Sequence, residues 1–248
     1  MRSTVSWPGP REGFIRSLFD RIAPGYDLMN RVMTGGIWWW WQRRLFALAG
    51  LRPGERVLDV GCGTGDLSFW AARLLGPEGE VVGVDISPRM LARARKRLLA
   101  RRPGAGAPIR FLEADALSLP FPDNSFDVVL TGFVLRNLPE LSRGLREMFR
   151  VLRPGGRFFC LELSQPPSLW VRSFFRFYLG RVVPLLGFWA RTPGGSGPSP
   201  YRWIFLSWAD FPGPGELGRM LAETGFSSIR WHSLSGGIAC IHLGRKPC

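Results

Sequence analysis

The middle of the chain alternates between short apolar runs and longer segments whose apolar residues recur at helical spacing. A parallel strand that is buried on both faces is apolar throughout, whereas an amphipathic helix repeats its apolar positions every three or four residues. The pattern therefore predicts five strands separated by helices or loops, and two further strands at the end of the chain. The predicted strands are Arg56–Val60, Glu80–Asp85, Ile109–Glu113 and residues 126–131, 156–162, 228–231 and 237–242.

Four helices are predicted from apolar spacing and from residues that begin or end a helix. Ser87 is suited to cap one of them, because Pro88 follows it at the first helical position. Pro154 and two glycines end another helix, and Gly225 is suited to the left-handed position after the last one. The predicted helices are Asp66–Leu75 and residues 90–101, 139–152 and 216–224.

Repeated strand–helix–strand units predict an α/β fold of the Rossmann-like type. This fold is a seven-stranded, mostly parallel sheet with helices on both faces, and it binds ligands at the carboxyl ends of its strands. We expect residues 1–18 to be a flexible terminus and residues 19–248 to form a single domain. Its core is predicted at 51–162 and 214–248. Two aromatic-rich segments are expected to cover the ligand edge of the sheet, namely a helical N-terminal segment, residues 19–50, and an insertion before the last helix, residues 163–213.

The formal net charge is +14 in a chain of 248 residues, and only two of the basic residues are lysines. An excess of arginine is compatible with nucleic acid, with an anionic membrane surface, or with a compositional bias that has no functional meaning. Charge alone does not separate these three interpretations.

The N-terminal residues lack the apolar segment of a signal peptide, and no apolar run reaches the roughly 20 residues of a membrane-spanning helix. We therefore expect a cytoplasmic protein. Its cysteines show no metal-ligand spacing, so no metal site is predicted, and three of them are expected to be buried free thiols. The cysteines are Cys62, Cys160, Cys240 and Cys248.

A glycine-rich turn, GCGTG at residues 61–65, follows the first strand. Such a turn lets the backbone approach a ligand, although a ligand-free turn or a dinucleotide site would look similar. Asp85 ends the second strand and is suited to accept hydrogen bonds from ribose hydroxyls. Asp115 follows the third strand and is suited to an adenine amino group. Carboxylates at three strand ends favour a positively charged sulfonium cofactor over a pyrophosphate.

Three segments in order, VLDVGCGTGD, VVGVDIS and EADALSLPFPDNSFDVVL, resemble the cofactor motifs of class I S-adenosylmethionine-dependent methyltransferases. FDRIAPGYDLMNRVMTGGI and GFVLRNLPELSRGLREMFRVLRPGGRF resemble the two signatures of the quinone-biosynthesis C-methyltransferases. PSPYRWIFLSWADFPGPGELGRMLAETGF and LSGGIACIHLGRK resemble the C-terminal segments of that family. The resemblance covers nearly the whole chain from residue 19 onward.

The resemblance implies S-adenosylmethionine as cofactor and a set of residues that bind it. One of the family's cofactor contacts, often made by a serine side chain, falls on Gly132, where only a backbone contact with the cofactor remains. The implied cofactor-binding residues are Asp59, Gly61, Gly63, Thr64, Gly65, Asp85, Asp115, Ala116 and Gly132.

The implied reaction is methylation of a ring carbon of a prenylated quinol, which is demethylmenaquinol or a methoxy-benzoquinol precursor of ubiquinone. Arg136 is the candidate for stabilising the quinol oxyanion, and Asn137 for orienting the ring or a water. Tyr26, Asp27 and His242 are candidates for taking the proton. Two alternatives stay open: an arginine at this position is often a surface ion pair, and a strand histidine is often a satisfied core residue.

A lipophilic quinol resides in the bilayer, so we expect peripheral contact with an anionic membrane at its inner face. In the predicted helix over residues 169–179, Arg172 and Arg176 share one face and the aromatic residues occupy the rest. This pattern is typical of an interfacial helix, but equally of a cover helix packed on the domain. Residues 38–41, four tryptophans, either line a groove for the prenyl tail or fill the core. Monomer and homodimer both stay open.

Two rival functions are weaker. A nucleic-acid methyltransferase would usually carry a [DN]PPY-like motif after the fourth strand or a nucleophilic cysteine beside a proline, and the chain has neither. Nucleic acid is therefore not expected as a partner. A non-enzymatic cofactor-binding protein on the same fold is disfavoured by the intact acidic positions and the second signature, although fold alone does not exclude it.

Overall fold

The computed structural model describes residues 12–101, 106–185 and 200–248. Seven strands form one sheet in the order β3-β2-β1-β4-β5-β7-β6. The first five strands pair in parallel, and β7 runs antiparallel between β5 and β6. This confirms the predicted seven-stranded, mostly parallel Rossmann-like sheet. The strands are β1 (Arg56–Val60), β2 (Glu80–Asp85), β3 (Ile109–Glu113), β4 (Phe126–Gly132), β5 (Leu152–Leu163), β6 (Ser227–Leu234) and β7 (Ala239–Arg245).

The helices divide between the two faces of the sheet and the edge where the parallel strands end. Single turns of 3-10 helix lie at Ala23–Gly25, Leu135–Asn137 and Ser235–Gly237, and a π-helical turn lies at Tyr178–Val182. The α-helices are α1 (Glu12–Ile22), α2 (Tyr26–Thr34), α3 (Ile37–Ala49), α4 (Asp66–Leu75), α5 (Pro88–Leu99), α6 (Leu141–Val151), α7 (Leu169–Phe177), α8 (Pro200–Ala209) and α9 (Pro214–Thr224).

The core lies in two halves, one on each face of the sheet. One half packs α3 and α4 against the strands through residues such as Leu45 and Ala71. The other half packs α6 and α9 through residues such as Leu145 and Leu221. Alternate strand residues point to opposite faces, so neighbouring residues of one strand contribute to different halves.

Several elements differ from their predicted bounds at the ends. β5 begins at Leu152 instead of residue 156, because Leu152 is already paired with Phe126 of β4. The last two strands each end three residues later than predicted, since they pair with each other along that length. β7 begins at Ala239 instead of residue 237, because residue 237 belongs to a 3-10 turn. Ser87 caps α5 as predicted, accepting a hydrogen bond from the backbone N–H of Met90.

The prediction of a flexible terminus over residues 1–18 is wrong for its second part. Residues 12–18 belong to α1, where Ile15 and Leu18 are buried, because this helix packs against α5. Residues 1–11 lie outside the described residues, as do residues 186–199 of the predicted second cover segment. Within the described parts of the chain, no helix is long and apolar enough to cross a membrane.

Candidate active site

The glycine-rich turn after β1 has a backbone that only glycine adopts without strain. Gly61, Gly63 and Gly65 have φ values of +69°, +55° and +91°. A Cβ built on Gly61 would lie 2.2 Å from Cγ2 of Val134, so a side chain has no room there. The turn is closed by the backbone N–H of Gly65, which donates to the carbonyl of Cys62 at 2.8 Å. The result is a tight, partly buried turn at the carboxyl end of the sheet, with backbone that lines a cavity at Gly61 and Gly63.

Asp85 ends β2 directly beside this turn. Its Oδ2 accepts a hydrogen bond from the N–H of Gly63 at 2.8 Å, and its Oδ1 accepts one from the N–H of Ser87 at 2.9 Å. Burial raises the pKa of Asp85 to about 6, and the neighbouring carboxylate of Asp20 adds to the rise. A cationic ligand would therefore favour the ionised form of this carboxyl.

Asp59 lies under the turn and is buried. Its Oδ2 accepts a hydrogen bond from the hydroxyl of Ser68 at 2.6 Å, whereas its Oδ1 has no hydrogen-bond partner among the described residues. Burial, together with the nearby charge of Asp85, raises the pKa of Asp59 to about 7. A buried acceptor without a partner suits the ammonium group of an amino-acid ligand, because a positive charge would pair with it directly or through water.

Six of the nine predicted cofactor-binding residues line one small cavity of about 80 Å³ at this strand edge. Asp59 and Gly65 do not line it. Thr64 does not line it, because its hydroxyl donates to Oδ1 of Asp27 at 2.7 Å instead. The six residues are Gly61, Gly63, Asp85, Asp115, Ala116 and Gly132.

Gly132 contributes backbone to this cavity, and its missing side chain has a structural explanation. A Cβ at this position would lie 2.8 Å from Cδ1 of Leu67, so that leucine occupies the space of a side-chain contact. Asp115 is oriented by its own turn, where its Oδ1 accepts a hydrogen bond from the N–H of Leu117 at 2.9 Å.

A second, larger cavity of about 460 Å³ adjoins the first. Apolar and aromatic residues from α1, α2, α3, α7 and α8 make up most of its wall, and both cover segments contribute to it. Its size is typical of a small-molecule site. Four residues line both cavities and so mark the junction between them, namely Phe19, Tyr26, Phe133 and Asn137.

Phe133 lies at the junction in a strained backbone conformation and accepts hydrogen bonds from two residues of the cavity wall. Its φ is +61°, a conformation that costs a bulky residue about 1–3 kcal/mol. Its carbonyl oxygen accepts hydrogen bonds from Nη1 of Arg136 and from Nδ2 of Asn137, each at 3.0 Å. The strained turn thereby brings the two most distinctive residues of the second signature to the cavity wall.

Arg136 is buried and is the one formally charged side chain among the described residues that line the larger cavity. Its Nη1 donates to Oε1 of Glu162 at 2.5 Å, so the alternative of a surface ion pair is wrong. Burial raises the pKa of Glu162, although Arg136 opposes that rise. Sequence reasoning missed Glu162, yet it is the last residue of the predicted fifth strand, where functional side chains are expected.

Asn137 is oriented from two sides. Its amide nitrogen donates to Phe133, and its Oδ1 accepts a hydrogen bond from Nε1 of Trp203 in α8 at 2.8 Å. Trp203 also lines the larger cavity. No sequence signal points to this contact, because it joins the sheet edge to a cover segment whose packing is not encoded in a motif.

The three candidates for the base are placed very differently. Tyr26 lies at the junction of the cavities, and burial raises the pKa of its hydroxyl. Asp27 lines neither cavity and bonds to Thr64 and Arg93. His242 also lines neither cavity. The structure therefore brings Tyr26, but not Asp27 or His242, together with Arg136.

His242 is buried on the opposite face of the sheet. It pairs in register with Cys160 of β5, a residue of the other half of the core, and its Nε2 lies 2.9 Å from the carbonyl oxygen of Pro214. Burial lowers its pKa to about 4. It is a core histidine, but not the fully satisfied one of the alternative interpretation, because its buried Nδ1 has no hydrogen-bond partner among the described residues.

The arrangement fits S-adenosylmethionine on three observations. The glycine turn leaves a cradle that side chains would fill, Asp85 and Asp115 lie at the ends of neighbouring strands, and Asp59 offers an unpaired buried acceptor. The adjoining apolar cavity has room for an aromatic substrate. Such a pair of cavities can align a methyl donor with a ring.

Comparison with known sequences identifies relatives across almost the whole chain. The sequence profile described as the ubiE/COQ5 methyltransferase family matches residues 9–246. A demethylmenaquinone methyltransferase from Symbiobacterium thermophilum is 40% identical over 96% of this chain and 95% of its own length. A ubiquinone/menaquinone biosynthesis C-methyltransferase from Pseudomonas paraeruginosa is 41% identical over 94% of this chain and 89% of its own length.

Comparison with solved structures shows the same fold at low sequence identity. A phosphoethanolamine N-methyltransferase 2 from Haemonchus contortus, in complex with S-adenosyl-L-methionine, has a TM-score of 0.68 and 17% identity, covering 94% of this chain and 60% of the other. A methyltransferase from Thermotoga maritima has a TM-score of 0.63 and 20% identity, covering 94% and 99%.

Proposed function

Because the chain belongs to the ubiE/COQ5 methyltransferase family and is thus an S-adenosylmethionine-dependent methyltransferase, we propose that it methylates a ring carbon of a prenylated quinol. The favoured substrate is demethylmenaquinol, which would become menaquinol. The methoxy-benzoquinol precursor of ubiquinone is the alternative. The observation that carries the proposal is that Tyr26 and Asn137 line both the cofactor cavity and the apolar cavity, while Arg136 lines the apolar cavity next to Asn137.

S-adenosylmethionine, when bound, supplies an electrophilic methyl group. Gly61 and Gly63 would hold it through their backbone, Asp85 would accept hydrogen bonds from its ribose and Asp115 from its adenine. Asp59 would balance its positive charge. These assignments follow from the unpaired acceptor and from the cavity lining described above.

The quinol ring carbon becomes nucleophilic when the adjacent hydroxyl loses its proton, because the resulting negative charge is shared between oxygen and carbon. Arg136 would stabilise that oxyanion from the cavity wall, and Asn137 would orient the ring. Of the three base candidates, only Tyr26 lines the cavities. Because burial raises the pKa of its hydroxyl and keeps it protonated, Tyr26 would act as a relay that accepts the substrate proton while its own proton passes to water.

Formation of the new carbon–carbon bond would break the methyl–sulfur bond of the donor and leave the neutral thioether. The methylated ring carbon would then lose its hydrogen as a proton to water, which restores aromaticity, and the ring oxyanion would regain a proton, so that one proton is released overall.

The test is an assay with purified protein and S-adenosylmethionine labelled in the methyl group. We expect label in a short-chain demethylmenaquinol, and a parallel reaction with the short-chain benzoquinol precursor decides between the two quinols. Bulk RNA serves as the third acceptor. Label in RNA and in neither quinol would overturn the proposal.

The proposal includes peripheral contact with an anionic membrane on the cytoplasmic side. Trp170, Phe174 and Phe177 recur at helical spacing on α7, so they form one stripe, and they are 88%, 67% and 61% exposed. Phe174 also lines the larger cavity, as does Val32 of α2, which is 49% exposed. The mouth of the cavity is thus apolar, and exposed Arg176 lies beside it on α7. These features suit a lipophilic substrate that enters from a bilayer.

A further inference from the structure

Glu162 is paired with Arg136, which carries the only formal charge among the described residues that line the larger cavity. The other titratable side chains that line this cavity are Tyr26 and Tyr178. Among the residues that the structure describes, the guanidinium of Arg136 is therefore the single formal charge on this wall. Glu162 itself does not line the cavity and is 1% exposed, so it acts on a ligand only through Arg136.

Three contacts fix this carboxylate. Its Oε1 accepts hydrogen bonds from Nη1 of Arg136 at 2.5 Å and from the N–H of Leu163 at 2.8 Å. Its Oε2 lies 3.4 Å from the backbone N–H of Arg136. Because the carboxylate is held by the backbone of β5 and by the turn before α6, the guanidinium is held in one orientation.

The ion pair between Arg136 and Glu162 also determines the net charge at the wall of the larger cavity. An arginine alone on an apolar wall would favour the ionised form of a bound phenol strongly, whereas a paired arginine is close to neutral overall. The titratable groups around Glu162 are Arg136 and two buried thiols, Cys160 of the same strand and Cys240, its partner in register on β7. The thiols are neutral because burial raises their pKa. Arg136 is therefore the group through which Glu162 exerts its effect.

We propose that Glu162 is a positioning residue for methyl transfer. It orients the guanidinium of Arg136 toward the larger cavity and lowers the net charge there, so that the substrate hydroxyl ionises at higher pH than it would beside an unpaired arginine. The inference rests on the proposed function, since it needs a substrate hydroxyl beside Arg136. It adds a residue that contacts neither the cofactor cavity nor the substrate cavity.

The test compares steady-state kinetics of the full chain with Glu162→Gln and Glu162→Asp across a range of pH. For Glu162→Gln we expect at least a tenfold loss of kcat and a KM for quinol within about threefold. The acid limb of its kcat profile should move to lower pH, because loss of the carboxylate favours the ionised hydroxyl. Glu162→Asp keeps the charge and should recover part of kcat with the pH profile of the unsubstituted chain.

Glu147→Gln is the matched control, because Glu147 and Arg150 form a comparable ion pair on α6 that lines neither cavity. It should lower stability without moving the pH profile. If Glu162→Gln does not fold, Glu162→Asp still decides: unchanged kcat in that variant would overturn the inference. An unmoved pH profile in folded Glu162→Gln would do the same. Failure of the unsubstituted chain to methylate either quinol refutes the proposed function instead.

Discussion

The indole Nε1 of Trp203 lies 2.8 Å from Oδ1 of Asn137, so a residue of the cover segment orients a residue of the sheet edge. The other end of the Asn137 amide is held by the carbonyl of Phe133. Phe14 of α1 packs against Trp203 edge to face, with ring centroids 5.2 Å apart. The first helix of the chain, the cover and the junction of the two cavities are thus connected by a short series of direct contacts.

We predict that Trp203→Phe lowers kcat about tenfold while changing the Kd for S-adenosylmethionine less than twofold. Phenylalanine keeps most of the apolar contact but removes the N–H donor, and loss of one hydrogen bond is worth about 1 kcal/mol. Asn137 would then adopt other orientations. Trp170→Phe is the control, since Trp170 is 88% exposed and lines neither cavity. Equal kinetics for the two variants would contradict the orienting role.

A second prediction concerns the glycine turn. Gly61→Ala should lower the free energy of unfolding by about 2–4 kcal/mol, because it combines a left-handed backbone with an overlap against Val134. It should also weaken cofactor binding more than tenfold. Urea denaturation and isothermal titration calorimetry measure the two effects.

Gly54→Ala provides the matched control for that substitution. Gly54 has a φ of +82°, but a Cβ there would meet nothing within 4 Å. Gly54→Ala should therefore lower the free energy of unfolding by only about 1 kcal/mol and leave the affinity for the cofactor unchanged. Gly61→Ala combined with Val134→Ala should recover part of the stability. If Gly61→Ala lowers the free energy of unfolding no more than Gly54→Ala does, the close approach of Gly61 to Val134 is unimportant for stability.

The third prediction concerns pH. Burial raises the pKa of Asp85 to about 6 and that of Asp59 to about 7, so both carboxyls bind a proton in part between pH 5 and 7 without cofactor. A positively charged ligand favours the ionised forms. The affinity for S-adenosylmethionine should therefore rise as pH increases through 6 and 7 and level off above that, with protons released on binding.

Calorimetry at pH 6 in buffers of different ionisation enthalpy counts those protons. Asp85→Asn should bind the cofactor at least tenfold more weakly at pH 8, because it loses an acceptor for the ribose, and it should release fewer protons at pH 6. The same raised pKa values make the folded state without cofactor less stable as pH rises from about 4 to 7, since the unfolded chain releases these protons at lower pH. Cofactor binding that is independent of pH across this range would refute the assignment.

Local patterns predicted the parts of the site that depend on one strand and the turn after it. The glycine turn and Asp85 follow directly from apolar strands that end in glycine or aspartate, and the mostly parallel sheet follows from repeated strand–helix–strand units. The orientation of the Thr64 side chain could not be predicted in this way. The motif places it in the turn, but whether its hydroxyl faces the ligand or Asp27 depends on α2, which lies 37 residues earlier in the chain.

Contacts between distant segments could not be predicted in this way. Trp203 and Asn137 are 66 residues apart and belong to segments whose relative packing no periodicity defines. The side of the sheet on which His242 lies, by contrast, could have been predicted from the sequence. Its neighbour Ile241 belongs to the half of the core that contributes to the larger cavity, so alternation along β7 places His242 on the opposite face.

The last prediction tests the membrane contact. Trp170→Ser combined with Phe177→Ser should reduce cosedimentation with anionic phospholipid vesicles at least fivefold, because two exposed aromatic side chains are lost from the stripe on α7. Phe174 is kept, since it lines the larger cavity and its loss would also affect substrate binding. Activity toward a water-soluble, short-chain quinol should therefore stay within about twofold.

Leu99→Ser is the control for this variant. Leu99 lies at the end of α5 and is 87% exposed, but it lines neither cavity and lies on no aromatic stripe. Its substitution removes a comparable exposed apolar side chain and should leave vesicle binding unchanged. Arg176→Glu should weaken binding mainly at low salt, because an arginine near lipid phosphates acts through a screened charge. If the α7 double variant and Leu99→Ser sediment alike, α7 packs as a cover helix and the membrane contact lies elsewhere.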